Sequence, residues 1–261
     1  MNVIIPTLII AAAGLFFGLV LGIVSKVFEV KKDERIDKIA EILPGANCGG
    51  CGFAGCSAYA EEIVLNGAEV NCCSVGGADA AAKISAVMGK EAGEFVRKTA
   101  RVMCNGSCEN AKTKYIYSGI KDCFAASRVA DGQKECIYGC LGFGNCVEAC
   151  EFGALSIVDG VARVDPEKCA ACGKCVVRCP KKLIKLLPYD KTTSVLCSNR
   201  DKGAVARTVC DVSCIGCGIC AKNCPNEAIT VTDFLAGIDY EKCVDCGICS
   251  EKCPRHAIIR K

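Results

Sequence analysis

The sequence predicts an α+β protein with a single N-terminal transmembrane helix, a small helical domain and two tandem units of one cysteine-rich fold. Three observations predict this architecture. Residues 3–24 carry no charged side chain, the segment after them has helical periodicity, and a pattern of four cysteines recurs in pairs towards the C-terminus. The predicted divisions are residues 1–26, 31–90, 91–134, 135–190 and 205–261.

Residues 1–26 are predicted to form a membrane anchor. The apolar stretch from Val3 to Val24 reaches about 33 Å as a helix, which is enough to cross a bilayer. A cleaved signal peptide is the alternative, but no basic residue precedes the stretch and it exceeds the usual apolar length of such peptides. Because Lys26, Lys31 and Lys32 follow it, the bulk of the chain is expected on the cytoplasmic side of the cell membrane.

Residues 31–90 are expected to form a small helical domain. Asp33 to Leu43 has the apolar spacing of an amphipathic helix, and two further helices are expected over Ser57–Asn66 and Ala78–Met88. Between the first two lies a glycine-rich loop whose backbone can wrap closely around a metal cluster. The loop carries Cys48, Cys51 and Cys56. Spacing leaves the fourth ligand open, since Cys72 and Cys73 are adjacent.

The last unit, residues 205–261, carries the most specific pattern in the chain. Two runs have the spacing C-x2-C-x2-C-x3-C-P, which is typical of bacterial two-cluster ferredoxins. In that pattern three cysteines of a run bind one [4Fe–4S] cluster, and the fourth binds the other cluster. The predicted sets are Cys214, Cys217, Cys220 with Cys253, and Cys243, Cys246, Cys249 with Cys224.

Residues 135–190 are expected to form a similar unit whose first run is looser and lacks the proline. The predicted sets are Cys136, Cys140, Cys146 with Cys179, and Cys169, Cys172, Cys175 with Cys150. Asp159-Gly160 lies between two apolar stretches and predicts a β-hairpin, and Ala228–Ile238 occupies the same place in the last unit. Each unit is therefore expected to contain two hairpin strands, two short helices and two clusters.

Residues 91–134 are expected to connect the helical domain to these units. Five cysteines lie outside the motifs: Cys104, Cys108 and Cys123 here, and Cys197 and Cys210 further along. Two to four of them could bind a sixth cluster in addition to the five expected. The alternative is that they are buried free thiols, which pack as small apolar groups.

Other uses of the 26 cysteines fit the sequence less well. Disulfide frameworks belong to short secreted chains, and zinc favours separate C-x2-C pairs, often with histidine. The net charge of +3 gives no indication of nucleic-acid binding. No nucleotide-binding glycine motif is present, and His256, the one histidine, is expected on the surface of a C-terminal strand. We therefore expect electron transfer and no catalytic residue.

The order of these parts resembles the B subunit of the Rnf electron-transport complex. The resemblance covers essentially the whole chain, and its most specific part is Cys48-Gly-Gly-Cys51-Gly-x-x-Gly-Cys56 beside a membrane span. In that family the fourth ligand precedes a Gly-Gly pair. The resemblance therefore implies Cys73, which is followed by Gly76-Gly77.

The resemblance also implies a role and partners. It implies an electron-transfer subunit of a membrane complex that couples ferredoxin:NAD oxidoreduction to Na+ or H+ translocation. Soluble ferredoxin would be the donor, and partner subunits would carry the flavins and the NADH site. A complex that reduces a redox-sensing regulator is one alternative. An iron–sulfur subunit of another membrane oxidoreductase is a second, but it would lack the Cys48–Cys73 domain.

Overall fold

The N-terminal helix is long enough to cross a membrane. The structure, a computed structural model, describes residues 4–27, 33–91 and 93–260. Helix α1 spans Ile4–Val27, and its segment Thr7–Val24 has the length and hydropathy of a membrane span, with no part of it buried in the protein. Lys31 and Lys32, on which the expected orientation partly rests, lie outside the described residues, as do residues 1–3.

Three helices form the helical domain, close to the predicted ranges. They are α2 (Glu34–Ile42), α3 (Cys56–Leu65) and α4 (Gly77–Met88). Asp33 caps α2 by accepting a hydrogen bond from the Arg35 N–H at 2.9 Å. The apolar faces of the three helices meet in one core, in which Ile39, Ile63 and Ile84 are fully buried. This core positions the glycine-rich loop between α2 and α3.

The first cysteine-rich unit contains the predicted hairpin and two short helices. The helices are α6 (Asn145–Glu148) and α7 (Lys174–Arg178), and the hairpin strands are β2 (Leu155–Val158) and β3 (Val161–Val164). Asp159 and Gly160 at the turn have φ values of +48° and +71°, as a tight hairpin with matching twist requires. The hairpin prediction is therefore confirmed. The core of the unit contains Val161 and Leu183 together with several cysteines.

The last unit has the same elements in the same order. Helices α9 (Ile219–Lys222) and α10 (Ile248–Glu251) flank the hairpin of β6 (Ile229–Thr232) and β7 (Leu235–Ile238). The hairpin lies within the predicted range of residues 228–238. His256 is exposed, as expected, but it lies in the turn just before the last strand and not on it.

Each unit also has a second strand pair that the sequence patterns do not predict. In the first unit β1 (Lys98–Val102) pairs antiparallel with β4 (Ile184–Pro188), and in the last unit β5 (Thr193–Val195) pairs with β8 (Ile258–Arg260). Both units therefore begin earlier than the expected boundaries of residues 135 and 205. The opening strands are short and precede the first cysteine run by many residues, so local spacing does not reveal them.

A long segment separates the opening strand from the first cysteine run in each unit. The first segment contains α5 (Cys123–Ser127), and the second contains α8 (Gly203–Val209). The two segments touch through an antiparallel bridge between Ala111 and Cys210, and the Asp211 N–H donates to the Asn110 carbonyl at 2.8 Å. Residues 103–134 are therefore an inserted part of the first unit, and they contact the last one.

Candidate metal centres

The cysteines lie in six groups of four in the described part of the chain. We number these groups as sites 1 to 6, from the helical domain towards the C-terminal unit. Site 1 lies in the helical domain. Burial raises the pKa of the Cys73 thiol, and the neighbouring Cys51 and Cys56 add to the rise. The Asn47 side chain accepts the Cys56 N–H at 2.8 Å and so closes the glycine-rich loop. Cys51, Cys56 and Cys73 therefore lie together, and Cys48 begins the same loop, so we define site 1 as these four residues.

Site 2 contains the regular run of the first cysteine-rich unit. Burial raises the pKa of the Cys175 thiol to about 11, and three nearby cysteines add to the rise. Backbone N–H groups donate to two of their sulfurs, from Ala100 to Cys169 at 3.3 Å and from Ala154 to Cys150 at 3.3 Å. Site 2 consists of Cys150, Cys169, Cys172 and Cys175, as the crossed spacing predicts.

Sites 1 and 2 are immediate neighbours. A Cβ atom added to Gly50, in the site 1 loop, would lie 3.0 Å from the carbonyl oxygen of Cys172. Burial raises the pKa of Cys172, a hydrogen bond from the Lys174 N–H opposes the rise, and the nearby Cys48 adds to it. Glycine at position 50 therefore lets the backbone of the helical domain approach a cysteine of site 2.

Site 3 differs from the set that spacing predicts. One cavity between α6, the β2–β3 hairpin and the end of α7 is lined by Cys123, Cys140, Cys146 and Cys179. Burial raises the pKa of Cys146 to about 12, and the same three cysteines add to the rise. Cys136 does not line this cavity. The structure thus brings Cys123 together with Cys140, Cys146 and Cys179, whereas spacing groups these three with Cys136.

A buried asparagine explains how Cys123 reaches site 3. Asn145 directly precedes Cys146, and its side-chain oxygen accepts the Cys123 N–H at 2.6 Å. The amide group of Asn145 also donates to Asp122, which caps α5 by accepting the Ala125 N–H at 2.8 Å. These bonds fasten the first turn of α5 to the cysteine run. Phe143 stands where a regular run would have its second cysteine, counted from Cys140.

Cys136 belongs to a different cavity, which we call site 4. This cavity is lined by Cys104, Cys136, Cys197 and Cys210. Burial raises the pKa of Cys210 to about 11, and the nearby Cys104 and Cys136 add to the rise. Three of these residues are among the five candidates for a sixth cluster, which also include Cys108 and Cys123. Their separation along the chain gives no motif that groups them.

Sites 5 and 6 occupy the last unit. A cavity is lined by Cys214, Cys217, Cys220 and Cys253, which form site 5 and belong to two different runs. Site 6 consists of Cys224, Cys243, Cys246 and Cys249. Burial raises the pKa of Cys249 to about 11, and its neighbours Cys243 and Cys246 add to the rise. Cys224 packs against the same core as Cys249, and its sulfur accepts the Ala228 N–H at 3.3 Å.

The geometry of these cavities fits cubes of iron and sulfide. Among the described residues no group of three or more His, Cys, Asp or Glu is close enough to hold one metal ion. A single zinc ion binds each cysteine sulfur at a Zn–S distance of about 2.3 Å, so its sulfurs lie close together. A [4Fe–4S] cube is larger and binds four thiolates, one at each iron corner. Sulfurs that surround a small cavity and accept backbone N–H groups match the cube.

Two cysteines remain outside the six sites. The sulfur of Cys108 lies over the turn of the β2–β3 hairpin, and its side chain is exposed. The Cys72 N–H donates to the Tyr59 hydroxyl at 3.1 Å, and that hydroxyl donates to the Glu69 carbonyl at 2.6 Å. Cys72 is thus held against α3, while Cys73 faces site 1.

Family models for iron–sulfur proteins match three parts of the chain. A family described as "Putative Fe-S cluster" matches residues 43–75, which contain site 1. A 4Fe-4S binding domain matches residues 162–185, and a 4Fe-4S dicluster domain matches residues 213–258. The last match contains all the cysteines of sites 5 and 6.

Curated relatives match nearly the whole chain. The B subunit of the Na+-translocating ferredoxin:NAD+ oxidoreductase complex of Acetobacterium woodii is 49% identical over 241 residues, 92% of this chain and 72% of the relative. The B subunit of the ion-translocating oxidoreductase complex of Methanosarcina acetivorans is 47% identical over 90% of this chain and 89% of its own length. The B subunit of the proton-translocating ferredoxin:NAD+ oxidoreductase complex of Clostridium ljungdahlii is 43% identical over 92% of this chain and 85% of its own.

Proposed function

Because the chain belongs to the B-subunit family of ion-translocating oxidoreductase complexes, we propose that it carries electrons from reduced ferredoxin to the membrane part of such a complex. The complex couples this transfer, with NAD as the acceptor, to translocation of Na+ or H+. The chain itself converts no substrate, and the flavins and the NADH site belong to partner subunits. The observation that carries the proposal is a series of four-cysteine sites in which successive sites share a core, approach through the backbone or are joined by an N–H···S hydrogen bond.

At least five [4Fe–4S] clusters are proposed, one at each of sites 1, 2, 3, 5 and 6. When bound, such clusters accept and release one electron at a time. The chain supplies four thiolates to each, and N–H groups that stabilise negative charge on the sulfurs. Examples are the Gly76 N–H on Cys73 at 3.3 Å and the Leu183 N–H on Cys179 at 3.5 Å. Because burial raises the pKa of these thiols, cluster assembly must displace protons from them.

The proposed direction of electron transfer is based on the positions of the first and last sites of the series. Site 1 lies in the domain that begins with α2, a few residues after α1, so it is held near the membrane. At the other end Cys217 of site 5 and Cys246 of site 6 are exposed. A soluble carrier therefore has access to the C-terminal unit. We assign ferredoxin docking to that unit and electron exit to site 1, with α1 as a single anchor and the rest cytoplasmic.

A basic segment of the first unit is a second candidate for ferredoxin docking, but it is weaker than the C-terminal unit. The segment from Lys168 to Lys185 carries six basic residues and no acid, which suits an acidic carrier or offsets the charge of the clusters. Three of them, Lys168, Lys174 and Lys181, form ion pairs with Asp165, Glu151 and Asp131. Their charge is therefore partly neutralised within the chain, which leaves the C-terminal unit as the assigned docking unit.

The proposal is tested with the complex purified from membranes under anaerobic conditions. Reduced ferredoxin should generate the electron paramagnetic resonance (EPR) signals of this chain's clusters, and the other subunits should co-purify with it. Replacing Cys246 by Ala should slow reduction by ferredoxin, while reduction by dithionite continues. Signals that dithionite generates and ferredoxin never does would contradict the assigned donor. Purification of the chain without any other membrane protein would contradict its place in a complex.

A further inference from the structure

Site 4 lies between the two cysteine-rich units and touches a cysteine of each. The N–H of Cys140, a site 3 residue, donates to the Cys104 sulfur at 3.4 Å. The N–H of Cys214, a site 5 residue, donates to the Cys197 sulfur at 3.3 Å. One backbone N–H therefore joins site 4 to site 3, and another joins it to site 5.

The four sulfurs of site 4 come from all the segments that meet at this boundary. Cys104 follows β1, Cys136 begins the loose run, Cys197 follows β5 and Cys210 ends α8. The inserted segment of each unit thus contributes to one cavity. Cys104, Cys136 and Cys210 are buried, and each has at least one of the others as an electrostatic neighbour. Cys104 and Cys210 are more than a hundred residues apart in the sequence, and only the fold brings them together.

A fully buried asparagine directs N–H groups at two of these sulfurs. The Asn199 side chain is 0% exposed. Its amide donates to the Cys136 sulfur at 3.5 Å, and its backbone N–H donates to the Cys197 sulfur at 3.4 Å. The same kind of N–H···S bond occurs at sites 1, 2, 3 and 6, with distances of 3.3–3.5 Å. Buried thiols that pack only as apolar groups need no such donors.

The chain also approaches site 4 closely and brings a positive charge to it. A Cβ atom added to Gly106 would lie 3.5 Å from the Cys210 sulfur and 3.7 Å from the Cys104 sulfur. The buried Lys134 ammonium donates to the carbonyls of Gly106 at 2.7 Å and Gly160 at 3.1 Å. A buried cation is costly unless negative charge lies nearby, which an anionic thiolate cluster provides.

We propose that Cys104, Cys136, Cys197 and Cys210 bind a sixth [4Fe–4S] cluster, which connects the two units into one row of clusters. The proposal of a cluster is based on the four cysteines and the N–H groups around them. Its role in passing electrons between the two units rests on the proposed function. Each transfer moves one electron: the cluster at site 5 is oxidised as that at site 4 is reduced, and site 4 then reduces site 3. No bond to substrate and no proton is involved.

The ligand set is tested by iron and acid-labile sulfide analysis of the full chain, with paired substitutions. Cys104→Ala and Cys197→Ala should each remove up to about four irons, one cube. The double variant should remove no more than one cube, because both residues hold the same one. Cys197→Ala combined with Cys123→Ala should remove up to about two cubes. Cys108→Ala, in the same inserted segment but outside every site, is the matched control and should keep all iron.

Two outcomes would overturn the site. Unchanged iron and EPR signals in Cys104→Ala or Cys197→Ala would do so, as would additive losses in their double variant. If a single variant loses nearly all iron through unfolding, Asn199→Ala decides, since it keeps every thiol. One cluster of that variant should then have a lower reduction potential, because an N–H···S bond is gone. Potentials identical to those of the unsubstituted chain would count against the site.

The connecting role is tested separately from the iron content, by the rates at which the clusters are reduced. In Cys197→Ala, reduced ferredoxin should reduce the clusters of sites 5 and 6 quickly and those of sites 1 to 3 much more slowly. Dithionite should reduce both groups. Equal rates for both groups with ferredoxin would overturn the connection. Failure of ferredoxin to reduce any cluster of the unsubstituted chain would instead overturn the proposed donor, while the iron analysis still decides the site.

Discussion

Removal of the buried charge of Lys134 should lower the reduction potentials of the clusters next to it. Lys134 is 4% exposed, and its ammonium donates to two backbone carbonyls, those of Gly106 and Gly160. Gly106 belongs to the site 4 loop. The cation also acts on site 3, since it opposes the rise that burial causes in the pKa of Cys140. A positive charge stabilises the reduced form of each cluster, which carries one more electron.

The size of the shift follows from Coulomb's law. If a charge beside a cluster is taken to lie about 8 Å from it, at an effective dielectric constant of about 20, the charge changes the energy of an added electron by about 2 kcal/mol. For a one-electron couple that is about 90 mV, since a tenfold change in equilibrium constant corresponds to about 59 mV. Lys134→Met keeps most of the side-chain volume and removes the charge. Two of the chain's potentials, those of sites 3 and 4, should therefore become more negative by about 90 mV.

EPR-monitored redox titration of the full chain measures this shift. Lys134→Arg keeps the charge and should leave both potentials near those of the unsubstituted chain. Lys121→Met removes an exposed charge and is the second control. The reasoning is refuted if Lys134→Met, with its full iron content, has the same potentials as the unsubstituted chain. A shift of equal size in Lys121→Met would show that net charge, and not the buried position, is responsible.

Three further outcomes are expected. Anaerobic analysis should approach about twenty irons per chain if five clusters assemble and about twenty-four with the sixth, whereas about eight or twelve in fully loaded protein would contradict two cysteine-rich units. Cys253→Ser should perturb the same EPR signal as Cys214→Ser, and Cys224→Ser the same signal as Cys243→Ser; the opposite pairing would contradict crossed ligation. Asp245→Ala should lower the thermal unfolding midpoint by several degrees, or roughly 2 kcal/mol, because the carboxylate accepts hydrogen bonds from Thr192 and Thr193. Asp233→Ala is the control and should lower it less, because Asp233 has the same left-handed backbone conformation but an exposed side chain.

The Asp245 carboxylate shows how tightly a cysteine run is fixed to its unit. Burial alone would raise its pKa, but the hydrogen bonds from Thr192 and Thr193 outweigh burial and leave the pKa at about 2. The Thr193 N–H and the Thr192 hydroxyl donate to it at 2.8 Å and 2.6 Å. Asp245 lies between Cys243 and Cys246, so these bonds hold the second run against the start of β5.

Local spacing is sufficient where one loop supplies most of a site. Three cysteines at x2 intervals wrap a single cavity, and a fourth one helical turn later is carried away from it. At sites 2 and 5 the cysteines that lie together are those that the spacing groups, and their binding of clusters stays a prediction. The hairpins also follow from local chemistry, since Asp159 and Gly160 both adopt the left-handed conformation that a two-residue turn needs.

Strand pairing and site 4 depend on contacts that no local pattern encodes. β1 pairs with β4 at a separation of more than eighty residues, and the periodicity of five residues is too short to predict it. Cys104 and Cys197 lie in segments without repeats, turns or fixed spacing. No sequence pattern points to Asn145 and Asn199, which direct polar groups at these sites. An asparagine next to a cysteine is a weak signal that gains meaning only from burial.

The loose run at Cys136–Cys150 is explained by two linked changes. Counted back from Cys146 at x2 intervals, a regular run would have cysteines at positions 143 and 140, but position 143 is Phe. Site 3 would then have three cysteines, and Cys123, held by Asn145, supplies the fourth. Cys136 is thereby released from the run and lines site 4. The departure from regular spacing therefore does not weaken one site: it frees a cysteine for the cavity between the two units.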